Sequence, residues 1–137
     1  MTMRRLTDIL HGGGWSLVVD NGAIRTFSGR GVSDLYGLLT REPETLRGAS
    51  VADKVVGKGA AALLVLGGGE EVYPAVRGAP APGLFAPSGL RVGCGEEVPH
   101  IVNRTRTGIC PVERLCADCR TAGECLPRIG AFLENLP

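Results

Sequence analysis

The run Trp15 to Ser28, WSLVVDNGAIRTFS, holds two short apolar stretches separated by Asn21-Gly22, and that dipeptide constrains the fold more than any other local feature. Both central residues of a tight hairpin turn must accept positive φ, which Asn and Gly do most readily. The segment therefore predicts an antiparallel strand pair.

Helical and strand periods alternate around it. Leu6, Ile9 and Leu10 share one face of a short helix over residues 3–11 that ends at the HGGG run, 11–14. Val32, Leu35, Leu38 and Leu39 recur at helical spacing and predict a second helix, closed off by Glu42-Pro43. The stretch Ala49 to Leu64 reads as a third, opened by Ser50 and Asp53 as a weak capping box and stopped by Gly67-Gly68-Gly69. EVYPAVRG, 71–78, predicts a strand whose Pro74 argues for an edge or a bulge. PAPGLFAPSGL reads as a Pro-interrupted helix or turn, LRVGCG as another strand, and CPVERLCADC and AGECLPRIGAFLENL as closing helices. No repeat or linker divides residues 1–137, so one α/β domain is expected. Its mixed sheet of about four or five strands would carry helices on both faces.

Composition excludes several classes of function. A chain of 137 residues can bury roughly two-thirds of its unfolded surface and needs no disulfide staple. The net charge of +1, with both signs scattered, offers no basic stripe for a phosphate backbone and argues against nucleic acid as a partner. No run reaches the roughly 18 apolar residues of a membrane span. Five cysteines, an odd number, and the start MTMRRLTDIL without a long apolar core lead us to expect reduced thiols and a cytoplasmic location.

Two expected helix starts carry chemistry: SVADK at 50–54 and TGICPVE at 107–113. Lys54 and Lys58 are the only lysines in the chain, against thirteen arginines. On a helix they would stand one turn apart, where two ammoniums repel modestly unless an anion lies between them. Asp53, Glu113 or an anionic ligand drawn to a helix N-terminus could supply it. Lysine also lowers its pKa when desolvated, which suits a nucleophile or proton carrier, and Lys58 is the deeper of the two. The bland alternative is that both ammoniums reach water while Gly57, Gly59 and the alanines pack on the sheet. Thr107-Gly108 could form an anion-binding turn with Asn103 and Arg104 reaching a ligand. As alternatives, Asn103 caps a turn and Arg104 is solvated. His100 reads as an exposed loop residue and His11 as a structural one at a helix end.

The blocks Gly48 to Ala62, GASVADKVVGKGAAA, and Asn103 to Glu113, NRTRTGICPVE, resemble a small uncharacterised bacterial family, a domain of unknown function. That family looks like an offshoot of the three-layer cytidine deaminase-like fold. In deaminases of that fold, a ligand-Ala-Glu triplet at one helix start and Cys-x-x-Cys at the next supply a zinc site and a catalytic Glu. Under the resemblance Val51-Ala52-Asp53 takes the place of the first and Cys110-Pro111-Val112-Glu113 of the second. Val offers no donor, so the usual zinc is not expected and no cofactor is required. The resemblance then implies a small anionic or nucleotide-like ligand at the two helix starts. Any hydrolase or deaminase-like catalysis would use Lys58, Asp53, Cys110 and Glu113, with Lys54, Asn103, Arg104, Thr107 and Gly108 in binding. Exposed strand edges in this fold also allow copies to pair as a homo-oligomer.

The cysteines support a different class. Cys110, Cys116, Cys119 and Cys125 form C-x5-C-x2-C-x5-C, and four thiolates at one place would hold zinc or an iron–sulfur cluster in a metal-binding or redox-responsive protein. Convergence requires the helix to end near Cys119 and the RTAGE turn to fold Cys125 back. Otherwise Cys116 and Cys125 are small core residues, Cys110 is a thiol near a positive helix end, and Cys94 is a strand residue.

Overall fold

The computed structural model describes residues 3–29, 32–78, 88–93, 95–99, 101, 108 and 110–135. The chain begins with α1 (Met3–Gly13), then the hairpin β1 (Leu17–Asp20) and β2 (Ile24–Phe27), α2 (Ser33–Arg41) and the short α3 (Pro43–Leu46). It continues through β3 (Ser50–Val56), α4 (Lys58–Leu66), β4 (Glu71–Gly78), β5 (Arg91–Val92) and β6 (Glu96–Val98). Two helices follow, here α5 (Pro111–Cys116) and α6 (Ala122–Glu134).

The hairpin forms, but with a longer turn than the two-residue one expected at Asn21-Gly22. Asp20 pairs with Ile24, so the loop has three residues, and Gly22 takes φ of 91°. β1 also pairs antiparallel with β3, β3 runs parallel to β4, and β4 is parallel to both β5 and β6. Among the described residues the result is a mixed six-stranded sheet in the order β2-β1-β3-β4, with β5 and β6 sharing the far side of β4.

Strand alternation sorts the core onto two faces. Val18 and Ala52 pack with Leu6 and Leu10 of α1 on one face. Leu17, Val19, Val51 and Val72 pack on the other with α2, α4, α5 and α6. Small residues allow the helices to approach closely: a Cβ on Gly130 of α6 would stand 2.6 Å from the Tyr36 hydroxyl of α2.

Two expectations are corrected here. Ser50 to Val56 is the central strand, and the helix expected from Ser50 begins only at Lys58, after an extended Gly57 with φ −96° and ψ −167°. Valines at 51, 55 and 56 favour the pleated surface, whereas the alanine-rich run from Ala60 favours helix. A buried strand with a parallel neighbour also lacks clean alternation, which is why it resembles an interior helix in sequence. Lys54 and Lys58 consequently do not share a helix face.

Pro74 is the second correction, because it is fully buried in an interior strand rather than at an edge. Gly93 N–H donates to Val72 C=O at 2.8 Å, so Val72 and, two residues on, Pro74 face the β5/β6 side. β5 pairs with Glu71 and Val72, and β6 with Val76 to Gly78. The missing proline donor thus falls in the break between two short neighbours. Most of PAPGLFAPSGL and the strand position Cys94 lie outside the described residues.

Candidate functional site

Gly57 ends the β3 segment and leaves the first amides of α4 open at the carboxyl end of the parallel strands, where helix N-termini attract negative charge. Glu113 fills that place. Its Oε1 accepts from Lys58 N–H at 2.9 Å and its Oε2 from Gly59 N–H at 3.2 Å. The carboxylate arrives there because α5 starts at Pro111 with Cys110 as its N-cap residue, and Cys110 N–H donates to Ile101 C=O at 2.8 Å. The spacing is tight on every side. A Cβ on Gly57 would lie 2.4 Å from the Glu113 carboxyl carbon, and one on Gly59 would lie 2.4 Å from Val112 Cγ1. Gly78, at the end of β4, would bring a Cβ to 3.7 Å from Glu113 Oε1.

The Lys58 side chain turns to the opposite end of α5. Its ammonium donates to Ala117 C=O at 3.0 Å and to Cys119 C=O. One residue therefore ties α4 to both ends of α5, by its amide at the start and its ammonium at the finish. Lys54 is exposed on β3.

Asp53 is the one buried charged residue among those described, at 8% exposure. It pairs in register with Leu17 of β1 and Pro74 of β4. Loss of water raises its pKa to about 7, only partly offset by the Val55 and Lys54 amides and reinforced by the nearby charge of Asp34. The Val55 N–H to Asp53 Oδ1 distance of 3.3 Å is long for a charge-assisted bond. A proton can therefore be exchanged here near neutrality.

The cysteines gather differently from the four-thiol expectation. Cys116 closes α5, Cys119 follows a turn, and Cys125 lies in the first turn of α6; their sulfurs all fall within 4.8 Å of one another and all three residues are buried. Cys119 N–H donates to Cys116 C=O at 3.0 Å, and the Thr121 side chain caps α6 by accepting from Glu124 N–H at 3.2 Å. Burial pushes the Cys116 and Cys125 thiols up in pKa. Cys110 is not in this group. It sits at the other end of α5, about 9 Å away at 1.5 Å per helical residue.

Among the expected binding residues, Gly108 is half-buried near Arg114, where a Cβ would stand 3.7 Å from Nη2. Asn103, Arg104, Thr107 and His100 lie outside the described residues. His11 stacks edge-on against Tyr73 with ring centroids 6.1 Å apart, a packing role. A shallow groove of about 430 Å³ along α5 and α6 is lined by Leu115, Arg128, Ala131, Phe132 and Asn135, none of them a candidate residue. Sequence reasoning missed the capping role of Glu113. Its signal was the Gly-Lys-Gly that places two bare amides at the start of α4.

These features define a mixed α/β protein in which two helix starts meet at the carboxyl ends of parallel strands. The chain belongs to the family TM1506: Domain of unknown function (DUF1893), which it matches over residues 5–133. Its structure is similar to the crystal structure of a DUF1893 family protein (TM1506) from Thermotoga maritima, with a TM-score of 0.86 and 24% identity, covering 95% of this chain and 88% of that one. At that identity the likeness carries the fold alone. No curated protein matches the chain.

Proposed function

We propose that this chain binds a small anionic or nucleotide-like ligand beside the junction of β3, β4, α4 and α5, in a cytidine deaminase-like fold without the catalytic zinc. The observation that carries the reading is the meeting of α4 and α5 at Glu113, at the carboxyl ends of two parallel strands, where open α/β sheets receive ligands. Asp53, further back in β3, carries a carboxyl that burial raises to a pKa of about 7, and its part in this reading is that of a proton carrier.

A deaminase-type zinc does not fit these residues. Val51 lies inside β3 and offers no donor, and both Glu113 oxygens are engaged by α4 amides. The same engagement shapes the ligand reading. With α4's first amides already satisfied, we assign the anionic group to Asn103, Arg104, Thr107 and Gly108, which precede α5 in sequence. The Lys58 ammonium, occupied by two carbonyls, serves as a clamp in this reading rather than as a nucleophile.

Thermal melting against a panel of nucleosides, nucleoside phosphates and inorganic phosphate tests the proposal. A nucleoside phosphate should raise the melting temperature of the wild type and leave Arg104→Ala unmoved. If every compound in the panel at millimolar concentration gives the same melting temperature as buffer, the ligand site is wrong.

A further inference from the structure

We propose that Cys116, Cys119 and Cys125 form a mononuclear zinc site of three thiolates, with Lys58 as the residue that positions its loop and offsets its charge. Three observations meet there. First, the sulfurs converge from three directions: the last turn of α5, the turn after it, and the first turn of α6. Zinc–sulfur bonds of about 2.3 Å in a tetrahedral site put ligand sulfurs about 3.8 Å apart. A group already within 4.8 Å reaches that spacing by side-chain adjustments of about 1 Å or less.

Second, the number and spacing select the occupant. A disulfide would use two sulfurs and strand the third. A cubane cluster carries its cysteines on the outside of four irons, farther apart than the ligands of one ion. A single soft-tolerant divalent ion uses all three, and its fourth position is left for water or a further donor.

Third, the loop is pinned from outside by cations. Three thiolates around Zn²⁺ leave one net negative charge. The Lys58 ammonium donates to the carbonyls of Ala117 and Cys119, within the segment that carries the ligands. Arg128 of α6 holds the same segment through Leu115 C=O, at 2.8 Å, and the Asp118 carboxylate. These contacts fix the backbone of the ligand loop as outer partners do in metal sites. They also give the lysine at 58 a reason that the α4 helix alone does not.

Binding replaces three S–H protons by three Zn–S bonds and releases the protons to solvent, with no change of oxidation state. Zinc content of reduced protein purified without chelator, and the absorption of the cobalt-substituted protein, test the site directly. One zinc per chain is expected, with cobalt showing thiolate charge-transfer and tetrahedral bands. Cys110→Ser should keep the ion, and Cys119→Ser should lose it. Because serine at a buried ligand could unfold the chain, Lys58→Met provides a second arm: zinc affinity in competition with a chromophoric chelator should fall by about 10- to 100-fold. Reduced wild type that takes up neither zinc nor cobalt overturns the site, and an iron–sulfur chromophore in place of zinc overturns its nuclearity. Loss of the ion in Cys110→Ser overturns the ligand set, and Lys58→Met with wild-type affinity overturns the role of the lysine.

Discussion

Glu113 accepts a hydrogen bond from the backbone N–H of Lys58 at 2.9 Å, across 55 residues of sequence. A carboxylate from one helix thereby closes the N-terminus of another, and the α4–α5 junction depends on it. Charge-assisted bonds of this kind contribute about 1.5–3 kcal/mol, and loss of the acceptor leaves the α4 amides without it. Glu113→Ala should destabilise the chain by about 2–3 kcal/mol in urea unfolding, and Glu113→Gln, which keeps an acceptor without the charge, by about half as much.

Gly57→Ala tests the same contact from the other side. Its backbone angles suit alanine, but the new Cβ would stand 2.4 Å from the Glu113 carboxyl carbon and must displace it. The expected cost is about 1–3 kcal/mol. In a double-mutant cycle with Glu113→Ala the two losses should be clearly less than additive, since both remove one contact. Additive losses would mean that the glycine matters for another reason.

Asp53 gives stability a pH dependence with a definite sign. Its pKa is 3.8 in the unfolded reference and about 7 in the folded chain, so between those values the folded form holds a proton that the unfolded form has released. Stability from this group therefore falls as pH rises from about 4 to 7 and is flat above, a total on the order of 4 kcal/mol. Asp53→Asn keeps an oxygen for the Val55 amide and cannot ionise. Urea unfolding across pH 4–8 should show the variant gaining on the wild type as pH rises and exceeding it at pH 8. Parallel pH profiles for the two proteins would contradict the burial argument.

Much of the fold was legible in the sequence, for physical reasons that also explain the failures. Asn21-Gly22 encodes its turn locally, and Leu6, Leu10, Leu35 and Leu38 repeat at helical spacing because each helix has one buried face. Ser50 to Leu66 misled because Val51 to Asp53 of β3 and Gly59 to Leu64 of α4 are buried runs, so neither carries a polar period to distinguish strand from helix. The short β6 and the four-residue α3 have too few residues for any period. Within the site, the opening of α5 beside Cys110 was legible, but the start of α4 was expected at Ser50 and stands at Lys58. The gathering of the cysteines was legible as a condition, a helix ending near Cys119 with Cys125 folded back, but not its membership: Cys110 stands at the far end of α5, outside the group.

Backbone amide shifts of the 15N-labelled chain, mapped during titration with a nucleoside monophosphate, decide whether a ligand binds at the α4–α5 junction. Perturbations should concentrate at Gly57, Lys58, Gly59, Gly108 and Val112. Titration to millimolar concentration without movement of these amides, or with changes confined to the groove around Leu115 and Phe132, would contradict a ligand site there.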